Sequence, residues 1–190
     1  MSRKPQISQD VILGAAFQML IRDGYNAINI TSLAREIGCS TQPIAWHFGN
    51  MDGLREALLQ HSLKHIRNHF DFSGDSALSI LKETQRRYIS LAFDFPHLYK
   101  YLYMTDHDCC QAGELIETLR FPHYEEILIL LQKEHGVSKQ AAQRYLLDLQ
   151  LYIHGIASCA VANLPVSFKE NVMEMIQDAN DTFFAKMIKK

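Results

Sequence analysis

The sequence predicts an all-α chain in two parts: an N-terminal three-helix unit containing a helix-turn-helix, linked by a long helix to a larger helical domain. Three observations lead there. Apolar residues recur at three- and four-residue spacing along most of the 190 residues. No long stretch alternates apolar and polar residues as a half-buried strand would. Two short helical segments are separated only by Gly38, Cys39 and Ser40, and a pair of helices on a three-residue turn containing Gly forms a helix-turn-helix.

Taken in order, the first helix starts at Ser8 as N-cap and carries the stripe Ile12, Ala15, Ala16, Met19 and Leu20 until Gly24 ends it. The second follows the N-cap Asn29, turns Leu33, Ala34 and Ile37 inward, and stops at Gly38. A third runs from after Ser40 through Ile44 to about His47, so the motif spans about 29–48. A longer helix begins near Met51 with Leu54, Leu58, Ser62 and Ile66 on one face and runs out in "NHFDFSGDS". Its Gly, Ser and Asp content sets the expected domain boundary, 1–70 and 71–190. Beyond it the pattern predicts helices over 76–94, from Pro96 through "PHLYKYLYM", over 114–119 and 122–135, and then two long ones, 139–163 and 167–189, around Pro165. The segment "TDHDCCQAG" reads as a loop.

Composition narrows the function classes. At 47% hydrophobic residues the chain can bury a real core, yet no apolar run approaches the roughly 18 to 20 residues of a membrane span. The start, "MSRKPQISQD", has no apolar region behind its basic residues, so no secretory signal is expected. Cys39, Cys109, Cys110 and Cys159 are irregularly placed, which suits a reducing cytoplasm better than a disulfide scaffold. The net charge of −2 is unevenly divided: residues 1–68 hold 7 Lys and Arg against 5 Asp and Glu, the rest 12 against 16. That mild basic bias permits nucleic acid without demanding it. The sequence has no nucleophile elbow, phosphate loop, HExxH or paired-cysteine motif, which argues against an enzyme and for no cofactor.

The stretch "STQPIAWHFGN" carries the chemistry. A helix in the major groove reads base edges with residues near its N-terminus. Thr41 and Gln42 fall in that first turn, and Pro43 sits where its missing N–H is harmless while offering an apolar edge. Asn29, Thr31 and Ser40 stand at helix starts, where free N–H groups attract phosphate. Trp46 and His47 each add a polar N–H, with capping or packing as the other reading of His47. Ile44 and Phe48 are expected to face the core.

These segments resemble the N-terminal domain of the TetR family of bacterial transcription regulators. The matching residues are Ala15-Ala16, Gly24, Asn29 in the cap place, Leu33-Ala34, "GCS" at 38–40, "IAWHF" at 44–48, and Leu54. Two positions depart from the family pattern: Ala45 stands for its usual Tyr and Met51 for its usual Lys, both phosphate contacts in the family. No Lys or Arg occurs from Gly38 to Met51, so Arg35, with Arg3 and Lys4 ahead of the first helix, would have to compensate. The resemblance implies a DNA-binding transcription regulator, a repressor that holds an inverted-repeat operator as a homodimer and is released by a small-molecule effector.

Less specific similarity extends further, through "FPHLYKYLYM" and "YIHGIASCA". It implies a dimer interface on the last two helices, for which Tyr145, Leu149, Tyr152, Ile156, Ala160, Ile176 and Phe183 are expected. Phe93, His97, Tyr101, Phe121, Tyr124 and His154 are expected to line the effector pocket, with the histidines as polar handles, unless these aromatics are simply core. Two other readings stay open: a metal- or thiol-dependent sensor or enzyme using His107, Cys109 and Cys110, and a protein-binding adaptor that has lost tight DNA contact. His61, His65 and His69 repeat every fourth residue, as metal ligands or as a solvated helix face.

Overall fold

The computed structural model describes residues 7–105, 122–162 and 166–189, the side chains of 166–168 excepted. Among the described residues the structure has nine α-helices and no strand. They are α1 (Gln9–Asp23), α2 (Ile30–Ile37), α3 (Gln42–Phe48), α4 (Met51–His69), α5 (Ala77–Asp94), α6 (Pro96–Tyr103), α7 (Tyr124–His135), α8 (Lys139–Val161) and α9 (Val166–Ile188), with one 3₁₀ turn at Tyr25–Ala27. The helix expected over 114–119 and the loop "TDHDCCQAG" lie outside the described residues. Among those described, no helix is long and apolar enough to cross a membrane.

The described residues fall into two compact units, one drawn from Met1–Asn68 and Phe95–Cys109, the other from His69–Asp94 and Cys110–Lys190. The core of the first joins Ile12, Ala16 and Leu20 of α1 to Leu33 of α2, Ile44 of α3 and Leu54 and Leu58 of α4, all buried. Helix α6 belongs to this unit, although the boundary read from the sequence places it in the second domain. Its Leu98, Tyr99, Tyr101 and Leu102 are buried, and α6 packs on α1. Apolar spacing shows which face of a helix must be covered; it does not show by which neighbour.

In the second unit α5, α7, α8 and α9 pack around Ile80, Leu81, Ile127, Leu131, Leu149, Ile153, Val172 and Ile176. A polar cluster is built into it. The Gln85 side-chain amide donates to Asn180 Oδ1 at 3.1 Å, the Asn180 amide donates to Gln85 Oε1 at 2.8 Å, and the Tyr145 hydroxyl donates to Asn180 Oδ1 at 3.2 Å. These bonds offset the cost of burying the polar groups.

That packing corrects the expected interface. Tyr145, Leu149, Ile156 and Ile176 are buried within this chain and present no surface to a second copy. Tyr152, Ala160 and Phe183 are half-buried, with the Tyr152 and Phe183 rings 6.3 Å apart. A helix apolar on more than one side has a core side and an outer side, and residue spacing alone takes the core side for the outer one.

At the junction between α3 and α4 the two helices meet closely. Asn50 Oδ1 accepts from the amides of Asp52 and Gly53, both at 3.0 Å, which satisfies two donors at the start of α4. A Cβ on Gly53 would lie 2.1 Å from the Phe48 carbonyl oxygen, so only glycine lets α4 begin this close to the end of α3. Gly53→Ala must push the two helices apart. A loss of about 1 to 3 kcal/mol is expected, the usual range for overpacking, visible as a lower denaturation midpoint with an unchanged denaturant slope; a midpoint equal to wild type would contradict the fit.

Candidate nucleic-acid interface

Helix α2 is fixed at both ends. Asn29 Oδ1 accepts from the Ser32 amide at 2.9 Å, while the Asn29 amide donates to Ser32 Oγ at 2.9 Å. Ser32 Oγ also reaches back to the Ala27 carbonyl at 2.8 Å, tying the cap to the preceding turn. At the other end Gly38 adopts the left-handed conformation, φ 75° and ψ 34°, and the Cys39 amide donates to the Ala34 carbonyl at 2.9 Å. Glycine takes that conformation without steric cost. The chain then turns directly into α3.

Helix α3 has one fully buried side chain, Ile44, and Phe48 half-buried beside it. Pro43 lies in its first turn, where fixed φ favours helix entry. Thr41 is the N-cap residue, but its side chain makes no cap bond, so the hydroxyl remains on the outer surface. Thr41, Gln42, Ala45 and Trp46 are exposed, Trp46 to 69%. The outer face thus offers a hydroxyl, an amide, a methyl and an indole N–H, a set suited to base edges rather than to charge. Thr31, Arg35 and Ser40 are exposed next to it.

Two residues named from the sequence are engaged inside the domain. The Asn29 side chain is the α2 cap. His47 is half-buried, its Nε2 lies 2.9 Å from the Ile7 carbonyl oxygen, and its ring packs edge-on against Trp46 at 4.6 Å. Sequence reasoning misses Ser32, Asn50 and Gly53. Ser32 escapes because the reciprocal partner in such a cap is usually Glu or Gln; the pair Asn50 and Gly53, three residues apart at a helix start, is a signal that could have been read.

Charge near α3 is thin. Arg22 is held by Asp23 at 2.7 Å and Glu36 at 2.9 Å, which joins the ends of α1 and α2. Those carboxylates raise the Arg22 pKa above its ordinary value, and Arg22 in turn lowers theirs. Arg55 donates to the Tyr25 hydroxyl at 2.6 Å. Arg35 is left exposed.

The residues expected around an effector are divided between the units. His97 packs against Gly24, where an added Cβ would meet its Nδ1 at 2.9 Å. Tyr101 stacks on Tyr25 at 5.0 Å and donates to the Arg55 carbonyl at 3.2 Å. Both therefore build the first unit. In the second, His154 Nδ1 lies 2.9 Å from the Tyr88 hydroxyl, and burial holds the imidazole below its ordinary pKa. The Phe93 ring is covered by Lys169, 4.7 Å from its centroid, and Tyr124 opens α7. Phe121, His107, Cys109 and Cys110 lie outside the described residues. His61 and His65 pack on Phe17 at 5.2 and 4.7 Å, while His69 Nε2 lies 3.4 Å from the Arg87 carbonyl. Among the described residues no group of three or more His, Cys, Asp or Glu side chains could hold a metal ion.

Residues 12–58 match the family model of the bacterial regulatory proteins of the tetR family. No curated protein matches the sequence. Among solved structures, the chain resembles a protein from Rhodococcus sp. assigned as a TetR-family transcriptional regulator. It is 17% identical, with a TM-score of 0.66, and the match covers 92% of this chain and 97% of that one. It also resembles a TetR variant from Acinetobacter baumannii AYE in complex with minocycline, 16% identical, with a TM-score of 0.61 and coverage of 96% and 97%. At such identities the likeness speaks for the fold, which extends over both units, while the family model speaks for the segment carrying α2 and α3. The N-terminal segment 12–58 is thus similar to the tetR family of bacterial regulatory proteins.

Proposed function

We propose that the protein is a homodimeric, sequence-specific transcription repressor that holds an inverted-repeat operator and is released by a small-molecule effector. The observation that carries this reading is the outer face of α3. A seven-residue helix held by Ile44 presents Thr41, Gln42, Ala45 and Trp46 outward, and a large aromatic exposed to 69% there serves no core. The major groove is wide enough for one helix, and two such helices about 34 to 36 Å apart read successive turns of duplex. An effector then acts by binding better to a state with another spacing. The second unit supplies His154, Phe93 and Tyr124 as candidate contacts to the effector.

For the dimer, the outer side of α8 replaces the buried set. Leu147 and Leu151 are exposed to 51% and 62%, with Gly155 and Cys159 exposed on the following turns. Glycine inside a helix costs about 1 kcal/mol relative to alanine, and a Cβ at Gly155 would meet nothing within 4 Å. Nothing within the described part of the chain requires glycine there. Close approach by the same helix of a second copy does, with the leucines of each copy against the small residues of the other, as a two-fold interface demands. Met173 of α9 is exposed as well.

Selection of bound fragments from genomic DNA is expected to enrich an inverted repeat, with a binding slope against log salt shallower than about −8 because few phosphates are neutralised. On that site Gln42→Ala should cost about 1 to 3 kcal/mol while scarcely changing binding to scrambled duplex. Failure to enrich any repeat at low salt would remove the proposal. Independently, Leu151→Glu should convert the dimer into a folded monomer by light scattering, with helical content unchanged; a variant that stays dimeric would place the interface elsewhere.

A further inference from the structure

A cleft of about 270 Å³ lies within the second unit, walled by α5 and α9 with Tyr145 of α8. Its polar lining is the cluster of Gln85, Asn180 and Tyr145, and that cluster is not saturated. The Asn180 amide donates to the Ile176 carbonyl at 3.0 Å, and a carbonyl only accepts, so the orientation of this side chain is settled. Its other N–H goes to Gln85 and its oxygen accepts from Gln85 and Tyr145, which uses every donor and acceptor Asn180 has. Burial, and after it the Asp181 carboxylate, raise the Tyr145 pKa above its ordinary value, so that hydroxyl stays a donor. Gln85 is different. It is 1% exposed, and among the described residues one N–H and one lone pair of its amide have no partner. Buried polar groups left unmet cost free energy, and the cleft is where a partner can reach them.

The charges on the two walls narrow the class of that partner. Lys82 stands on the α5 side and Asp181 on the α9 side, both exposed. Among the described residues no ion pair joins them, and the Asp181 carboxylate accepts from the Gln177 amide at 2.9 Å without meeting a cation. Opposite charges that border one cleft without closing on each other match a molecule carrying both signs. Leu78, Leu81 and Phe184 line the same space and supply an apolar surface. At roughly 30 Å³ per water the cleft has room for about nine, which is below the roughly 300 to 1,000 Å³ of sites that take drug-sized ligands. We infer that this cleft binds a small zwitterion of the α-amino acid class with an aliphatic side chain. The ammonium meets Asp181 and the spare Gln85 oxygen lone pair, the carboxylate meets Lys82 and the spare Gln85 N–H, and the side chain lies on the two leucines and Phe184. The site shares no residue with the set of His154, Phe93 and Tyr124, and it holds or fails independently of the reading of α3.

The test is calorimetric titration of the full-length protein with L-leucine, paired with the unfolding midpoint at increasing ligand. Saturable binding with Kd at or below about 1 mM is expected, together with a midpoint that rises with concentration. Isocaproate, which lacks the ammonium, and L-leucinamide, which lacks the carboxylate, should each bind about tenfold more weakly or worse, as expected for one lost hydrogen bond to a charged group. Lys82→Met and Asp181→Asn change exposed side chains, so the ligand-free midpoint should hold while each weakens L-leucine about tenfold. Lys82→Met should leave L-leucinamide binding where it was, because the contact it removes is the one that ligand never makes. No saturable binding of L-leucine up to about 10 mM, or binding that both variants leave intact, would overturn the site. No DNA enters the measurement, so a protein that binds no duplex would end the repressor reading and leave this result standing.

Discussion

Helix α3 is seven residues long, and an isolated helix of that length does not persist in water, because nucleation fixes several residues for each hydrogen bond gained. Its stability must come from outside, yet its outer face must stay uncovered to be useful. The domain meets both demands by holding α3 at one central side chain and at its two ends. Ile44 is the central attachment, fully buried in the core that α1, α2 and α4 build. Upstream, the left-handed Gly38 and the capped α2 set where α3 starts. Downstream, Asn50 and Gly53 let α4 begin against the Phe48 carbonyl. Loosening any of the three would let the reading face drift.

The same arrangement separates recognition from attraction. Contacts to phosphate position a protein on DNA, and contacts to base edges choose the sequence. On α3 the exposed groups are uncharged, which suits choice. Attraction has to come from cations that the internal structure has not consumed. Arg22 is consumed: with Asp23 and Glu36 it joins the ends of α1 and α2. The basic excess of residues 1–68 therefore overstates what α3's surroundings offer to a duplex.

Local features of the sequence were legible where the physics is local. Asn29 and Ser8 as caps, Gly24 and Gly38 as stops, and the inward set Leu33, Ala34 and Ile44 follow from spacing and cap chemistry, and the structure has each of them. What escaped depends on partners distant in sequence. The aromatic face of α6 is plain from "PHLYKYLY", but its packing on α1, and so the role of His97 and Tyr101, is not. Likewise α8 reads as apolar on two sides, and composition alone does not say that Tyr145, Leu149 and Ile156 face the core. His47 is the sharpest case, because its partner is a backbone carbonyl forty residues away, invisible to any residue pattern.

Gly155 carries a cost with no benefit among the described residues. Within the described structure alanine would fit there, nothing being within 4 Å, and would favour the helix by about 1 kcal/mol. Nothing among the described residues accounts for a position that forgoes this in the middle of a 23-residue helix, and the proposed function supplies a cause. On the proposed reading that is the partner's α8, and the link has a consequence for the weakly charged reading head. Joining two heads makes the second binding event intramolecular, raising the overall affinity by orders of magnitude with no further group added to the DNA interface of either head. The shortage of cations around α3 and the glycine on α8 are then parts of one design, in which affinity resides largely in the coupling between copies and selectivity in the exposed turn from Thr41 to Trp46. On the same proposed reading, such a division makes the complex easy to release, since an effector need only spoil the spacing of the pair and leave each head intact.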